Sequence, residues 1–230
     1  MKDSIWLAVQ NPPDPIELIR AFYLHPVTRD TEDQYDARTL VLAGRNTLRL
    51  LADTSYDRIL DVLEQYKYEI RPVESWNIPM FSCLKDTDDI PRIVLSNPGC
   101  DYTDIGYFFD KDGKRGAQFK YGETHYKAAM LMGLVYKDYP CRVTYLGKAY
   151  NSCSSEAKEA LRPKLCIRVP LIQHYLIEAR HGKVQGMAPL RQILTESTAL
   201  RRRSSTKQML NAIFDAMPDG SKYRNNFDWK

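Results

Sequence analysis

A chain of 230 residues, 43% hydrophobic and 27% charged, has material for one large domain or two to three small ones. Its longest apolar runs are only a few residues, as in Ala128 to Leu134 interrupted by Gly133, far short of the roughly 20 that span a bilayer, so no membrane span is expected. The net charge of +4 conceals a split: residues 1–110 carry 11 Lys and Arg against 19 Asp and Glu, whereas residues 111–230 carry 22 against 10.

The N-terminal stretch MKDSIWLAVQNPPDP lacks the apolar core and small-residue cleavage site of a signal peptide, so a cytoplasmic address is expected. Asp14 and Pro15 then open a helix with Ile16, Leu18, Ile19 and Phe22 on its apolar side. Residues Arg38 to Leu51 mix short apolar runs without a decisive period. Ser55 to Arg58 open a second helix carrying Ile59, Leu60, Leu63 and Tyr66 at helical spacing. From Ile70 to Gly99 four prolines punctuate the chain, Ile93-Val94-Leu95 reads as a buried strand, and Lys85 to Asp89 as a surface loop. A boundary is placed near residue 100.

Beyond it, Asp101 to Asp104 lead into Ile105, Tyr107, Phe108 and Phe109, Asp110 to Gly116 form a basic turn, and Thr124 to Val135 read as a helix. Cys141 to Leu146 alternate as a strand should. Helix, turn, helix, strand is the order of a winged-helix unit, in which the second helix enters the major groove. A second such unit follows. Pro170 to His181 form an amphipathic helix closed by Gly182, and Met187 to Leu194 a short helix broken at Ser197-Thr198. Ser205 to Gln208 match a capping box opening a helix with Met209, Leu210, Ile213, Phe214 and Met217 inward, stopped by Pro218-Asp219-Gly220. The five cysteines, odd in number and without a C-x-x-C, read as reduced packing residues, and the four scattered histidines offer no metal spacing.

Lys and Arg release counterions from phosphates, so a basic half with helix-sized segments makes nucleic acid the first partner to consider. Arg201, Arg202 and Arg203 precede the expected capped helix, where free amides also favour anions. Ser205 and Thr206 would lie at that helix entry, with Lys207, Gln208 and Asn211 on its exposed face for base readout. Lys114, Arg115, Gln118, Thr124 and Lys127 are the corresponding DNA-facing residues of the first unit, with Lys120 and His125 beside them. The plainer alternative for the arginines is a turn bracing acidic neighbours, the acidic N-terminal half included.

The stretch from about Asp104 to Tyr150, with Ile105-Gly106-Tyr107-Phe108, Gly133-Leu134-Val135 and Val143 to Lys148, together with Arg201 to Thr206, resembles tandem winged-helix modules. Such modules accompany bacterial type II restriction enzymes and related defence proteins. The resemblance covers roughly half the chain and implies double-stranded DNA recognition, as a sequence-recognition subunit or regulator in a restriction or defence setting.

Two rival readings use the same residues or the other half. In a Mg²⁺-dependent endonuclease of the restriction-nuclease fold, Asp104, Gln118, Lys120 and Glu123 would be catalytic, with Asp101 a further acid, on a hairpin of strands completed by a helix and the strand at Val143. A neutral Gln118 stands where a second acid is expected, and no cofactor is required if the DNA reader is right. In the other rival, a protein partner docks on the acidic N-terminal half through Trp6, Trp76, Tyr56, Tyr66 and Tyr68, without DNA binding. The resulting expectation is a helix-rich α+β protein with an acidic N-terminal domain over residues 1–100 and two winged-helix-like units over 101–168 and 169–230.

Overall fold

The structure is a computed structural model that describes residues 2–137 and 139–230. Side-chain oxygens start nearly every helix of the first half, each accepting from amides that have no partner within the helix. Asp3 caps α1 (Ser4–Ala8), Asp14 caps α2 (Pro15–Leu24), Thr28 caps α3 (Arg29–Glu32), Asp36 caps α4 (Ala37–Asp53) and Ser55 caps α5 (Tyr56–Gln65). The helix starts expected at Asp14-Pro15 and Ser55 are found. The 17-residue α4 is the element that period-counting leaves undefined. It buries Ala43, Gly44, Thr47, Leu48 and Leu51 on one face, and a Cβ on Gly44 would stand 2.8 Å from that of Ala149.

After an extended stretch, Lys85–Asp88 forms a 3-10 turn with Thr87 and Asp88 buried, not a surface loop. The reason is electrostatic. Asp88 receives the Arg162 guanidinium through Nε (2.9 Å) and Nη2 (2.6 Å) and the Tyr150 hydroxyl at 2.7 Å. Ile93-Val94-Leu95 is likewise helical, within α6 (Ile90–Ser96), with Pro91 in the first turn, where no amide is needed. A three-residue apolar run cannot by itself separate strand from helix.

Asp101 and Asp104 form a reciprocal capping box at the start of α7 (Tyr102–Phe109), and α8 (Arg115–Leu131) follows after a five-residue turn. The second helix therefore begins nine residues earlier than Thr124 and ends before Gly133, whose φ of +82° turns the chain out. The two helices cross closely because glycines face backbone. A Cβ on Gly106 would lie 1.8 Å from the Gln118 carbonyl oxygen, and one on Gly122 1.9 Å from that of Tyr102. The strand hairpin required by a restriction-nuclease core is thus replaced by two helices.

Next, Val135 and Val143 make one antiparallel bridge. The strand expected over Cys141 to Leu146 stops there, because the Thr144 hydroxyl accepts from the Gly147 amide (2.9 Å) and starts α9 (Tyr145–Asn151). The chain continues through α10 (Ser155–Cys166) and α11 (Pro170–His181), the latter with the expected limits and Gly182 at its end. Then come β1 (Val184–Gln185), α12 (Ala188–Ile193), α13 (Glu196–Ala216), α14 (Gly220–Arg224) and β2 (Phe227–Asp228), with β1 and β2 paired in parallel, Val184 opposite Phe227. The protein is helix-rich. Ser205 is not a helix start: α13 runs unbroken through Ser197, Thr198 and Ser205, and its N-cap is Thr195. Among the described residues no helix is long and apolar enough to cross a membrane.

One continuous hydrophobic core runs from Ile5 to Met217. Polar ties cross it. Lys164 Nζ donates to the carbonyls of Leu51, Ala52 and Thr54 at 2.5 to 2.9 Å, closing the end of α4 with a cation where the helix dipole is negative. Tyr23 donates to the Lys164 carbonyl and accepts, through its own carbonyl, from Gln173. Replacing Asp88 with Ala would strand the Arg162 guanidinium and the Tyr150 hydroxyl in this core, and unfolding in urea is expected to show a loss of about 3 kcal/mol or more. A loss under about 1 kcal/mol would mean the pair is solvated and contributes little.

Candidate nucleic-acid interface

The turn between α7 and α8 is shaped from within. Gln118, 7% exposed, donates Nε2 to the carbonyls of Asp110 (2.8 Å) and Lys111 (3.5 Å), so its amide pins the turn rather than facing outward. That leaves Lys111, Lys114 and Arg115 exposed, with no carboxylate within 4 Å among the described residues. Lys114 makes no side-chain cap to α8, so the first amides of a 17-residue helix stay available beside three cations. Sequence reasoning named Lys114 and Arg115 and passed over Lys111. Its signal was a third cation in the same Gly-punctuated turn.

The other residues assigned to this unit are occupied. Thr124 is buried and donates to the Tyr121 carbonyl at 3.1 Å. Lys120 and Lys127 both bind Glu123, at 2.7 and 2.6 Å. Burial opposes ionisation of Glu123, but these two hydrogen bonds prevail and hold its carboxyl below the ordinary value. His125 is buried, which lowers its pKa; with Nδ1 donating to the Tyr121 carbonyl at 2.8 Å, Nε2 is left to accept from the Cys83 amide at 3.4 Å. The alternative catalytic set does not converge. Asp104 accepts from the Asp101 amide, Gln118 holds the turn and Lys120 is neutralised by Glu123. No group of three or more His, Cys, Asp or Glu side chains is placed to hold a metal among the described residues.

On α13, Arg202, Ser205 and Gln208 recur at i, i+3 and i+6, so they share one face. That face grips segment 75–84, which opens with a 3-10 turn at Ser75–Asn77. Arg202 Nη1 donates to the carbonyls of Ser75 (3.0 Å) and Ile78. The Ser205 hydroxyl accepts from the Phe81 amide at 2.9 Å and donates to its carbonyl at 2.8 Å. Gln208 accepts from the Leu84 amide at 3.2 Å and donates to the Ser82 carbonyl at 3.0 Å. Burial lowers the pKa of Arg202, and the Arg201 charge adds to it. Thr206, fully buried, donates to the Arg202 carbonyl four residues back. Four of the residues assigned to DNA are therefore committed within the protein. Arg202 does brace the N-terminal half, but through carbonyls rather than acids.

Arg201, Arg203, Lys207 and Asn211 remain. Arg201 is exposed and, among the described residues, reaches only the Ser197 carbonyl (3.4 Å) and the Thr198 hydroxyl (3.2 Å) of its own helix. Arg203 has no carboxylate within 4 Å among the described residues, Lys207 lies 5.6 Å above the Trp229 ring, and Asn211 is exposed. Of the aromatics considered for a protein partner, Tyr56 is core, Trp6 and Tyr66 pack half-buried, and Trp76 and Tyr68 are exposed.

Changing Gln208 to Ala should remove about 1–3 kcal/mol of stability by leaving the Leu84 amide unpaired, and amide hydrogen exchange at Leu84 should accelerate. Unchanged exchange there would return Gln208 to the list of outward-facing residues. Comparison with protein-family models, with curated proteins and with solved structures finds no match to this chain.

Proposed function

We propose that the protein binds double-stranded DNA through its basic half, as a sequence-recognition subunit or regulator in a restriction or defence setting in the cytoplasm. One observation carries the reading. Two helix pairs, α7 with α8 and α12 with α13, each carry cations that no carboxylate within 4 Å neutralises among the described residues: Lys111, Lys114 and Arg115 in the first, Arg201 and Arg203 in the second. A helix-turn-helix places its second helix against the duplex, and cations there displace the counterions that make such binding salt-dependent.

The finer architecture belongs to the same proposal: an acidic N-terminal domain over 1–100 and winged-helix-like units over 101–168 and 169–230. What supports it is the Val135–Val143 bridge directly after α8, where a wing would start, and the β1–β2 pair flanking α12 and α13. Phosphate contacts fall to the five free cations, with Lys207 and Asn211 on α13 placed for base edges. Phe119, exposed at 44% on α8, adds an apolar contact able to meet sugar or a thymine methyl.

Fluorescence anisotropy with a random-sequence duplex across a salt series tests this. Changing Lys114 and Arg115 together to Ala should weaken binding and reduce the slope of log K against log salt by about 0.9 per lost contact. Unchanged slope and affinity would remove the α8 turn from the interface. Changing Asn211 to Ala should alter the selected sequence more than the overall affinity, and an unaltered preference would count against its readout role.

A further inference from the structure

Arg168, just beyond α10, is a buried arginine without a counter-ion. It is 8% exposed, its Nε has no hydrogen-bond partner, and no carboxylate lies within 4 Å of it among the described residues. The fold nonetheless holds its guanidinium in place. On one side lies the Phe22 ring, 4.5 Å from Cζ; on the other is Gly133, where a Cβ would approach that same carbon to 2.7 Å. Arg71 stands beside it, its Nη2 donating to the Arg168 carbonyl at 3.3 Å, also without a carboxylate within 4 Å among the described residues. Burial and the Arg71 charge push Arg168 down to about 10, which leaves it protonated at neutral pH.

Both arginines line a cavity of about 350 Å³. Its other walls are partly apolar, with Val27, Leu131 and Leu146, and include Trp76 and Tyr136 as aromatic surfaces and Thr28 and Thr144 as polar ones. Two further cations line it: Lys137, 4.6 Å from the Trp76 ring, and Arg29, which pairs with Asp33 at 3.5 Å. Glu32 is spent elsewhere: it accepts from the Tyr136 hydroxyl and the Tyr145 amide and pairs with Lys148. A buried charge left unpaired is strongly unfavourable, and two guanidinium forks converging on an apolar cavity are matched in charge and shape by an oxyanion. The volume lies within the range of small-molecule sites.

We propose that this cavity binds a small molecule carrying an oxyanion head, phosphate or carboxylate, on an apolar or aromatic body. Arg168 and Arg71 take the head through charge-assisted hydrogen bonds, and the walls around Trp76 and Tyr136 take the body. The proposal is independent of DNA binding, since none of these residues belongs to the two basic clusters.

Thermal melting and intrinsic tryptophan fluorescence of the full chain, titrated with inorganic phosphate, phenyl phosphate, benzoate and AMP, test it. At least one probe with a ring should raise the melting temperature and change the Trp76 emission, and phenyl phosphate against benzoate distinguishes the two heads. Arg168→Met should weaken that binding by about 100-fold while leaving the unliganded melting temperature equal or higher, because a buried unpaired charge is gone. Arg71→Met should weaken it in the same direction and serves if the first variant fails to fold. No response to any probe at millimolar concentration, or undiminished binding in both variants, overturns the site. Loss of duplex affinity in Arg168→Met with no small anion bound would overturn it too, by assigning this charge to the DNA surface.

Discussion

The contact between α13 and segment 75–84 is the one on which the rest of the architecture depends. Beyond a short 3-10 turn at Ser75–Asn77, this stretch around Pro79 builds no ladder of backbone hydrogen bonds of its own, so its amides and carbonyls need partners from elsewhere. Arg202, Ser205 and Gln208 supply them at a spacing that only an unbroken helix provides. This fixes the N-terminal half against the basic half, brings Phe81 and Leu84 into the common core, and sets the 3-10 turn from which Asp88 reaches Arg162 and Tyr150.

The polar side chains that close this core also explain where sequence reasoning succeeded. Local signals were legible: Asp14 with Pro15, Ser55, and the Pro170 to Gly182 helix all state their limits within a few residues of chain. Long-range demands were not. Ser205-Thr206-Lys207-Gln208 carries the residues of a capping box, yet in the fold Ser205 and Gln208 serve a backbone more than 120 residues away, and nothing in the tetrapeptide marks that use. Ile93 to Leu95 failed for a different reason, because a short apolar run lacks a period and Pro91 decides in favour of a helix start. The Cys141 to Leu146 alternation was real for one bridged pair, until Thr144 capped the following helix.

The candidate site was legible as a charge and not as a geometry. Which residues are basic is visible in the chain; which basic residues are free depends on partners brought by the fold. Lys120 and Lys127 converge on Glu123 because the three share one helical face at i, i+3 and i+7 spacing, a pairing the sequence does contain. Gln208 as a base-edge group and Gln118 as a DNA-facing one are natural expectations, because an exposed amide can do that chemistry. Buried, the same amide bonds to main chain instead, and the helix-face period alone does not say which side will be covered.

The surplus of cations in residues 111–230 therefore resolves into four environments with different consequences. Some are neutralised by acids, as Arg162 is by Asp88 and Arg180 by Asp61, and contribute little field at a distance. Lys164 and Arg202 are spent on carbonyls, where a positive charge completes a helix end or an extended segment. Lys111, Lys114, Arg115 and Arg201 face solvent and Arg203 is half-buried, all without a neutralising acid among the described residues, and water screens the exposed ones. Arg168 is the exception, buried against the Phe22 ring with its Nε unpartnered and no carboxylate within 4 Å among the described residues. In a low-dielectric surrounding the interaction of that group with an anion is far stronger than any made by the exposed cations, so net charge locates the broad surface while burial locates the selective site.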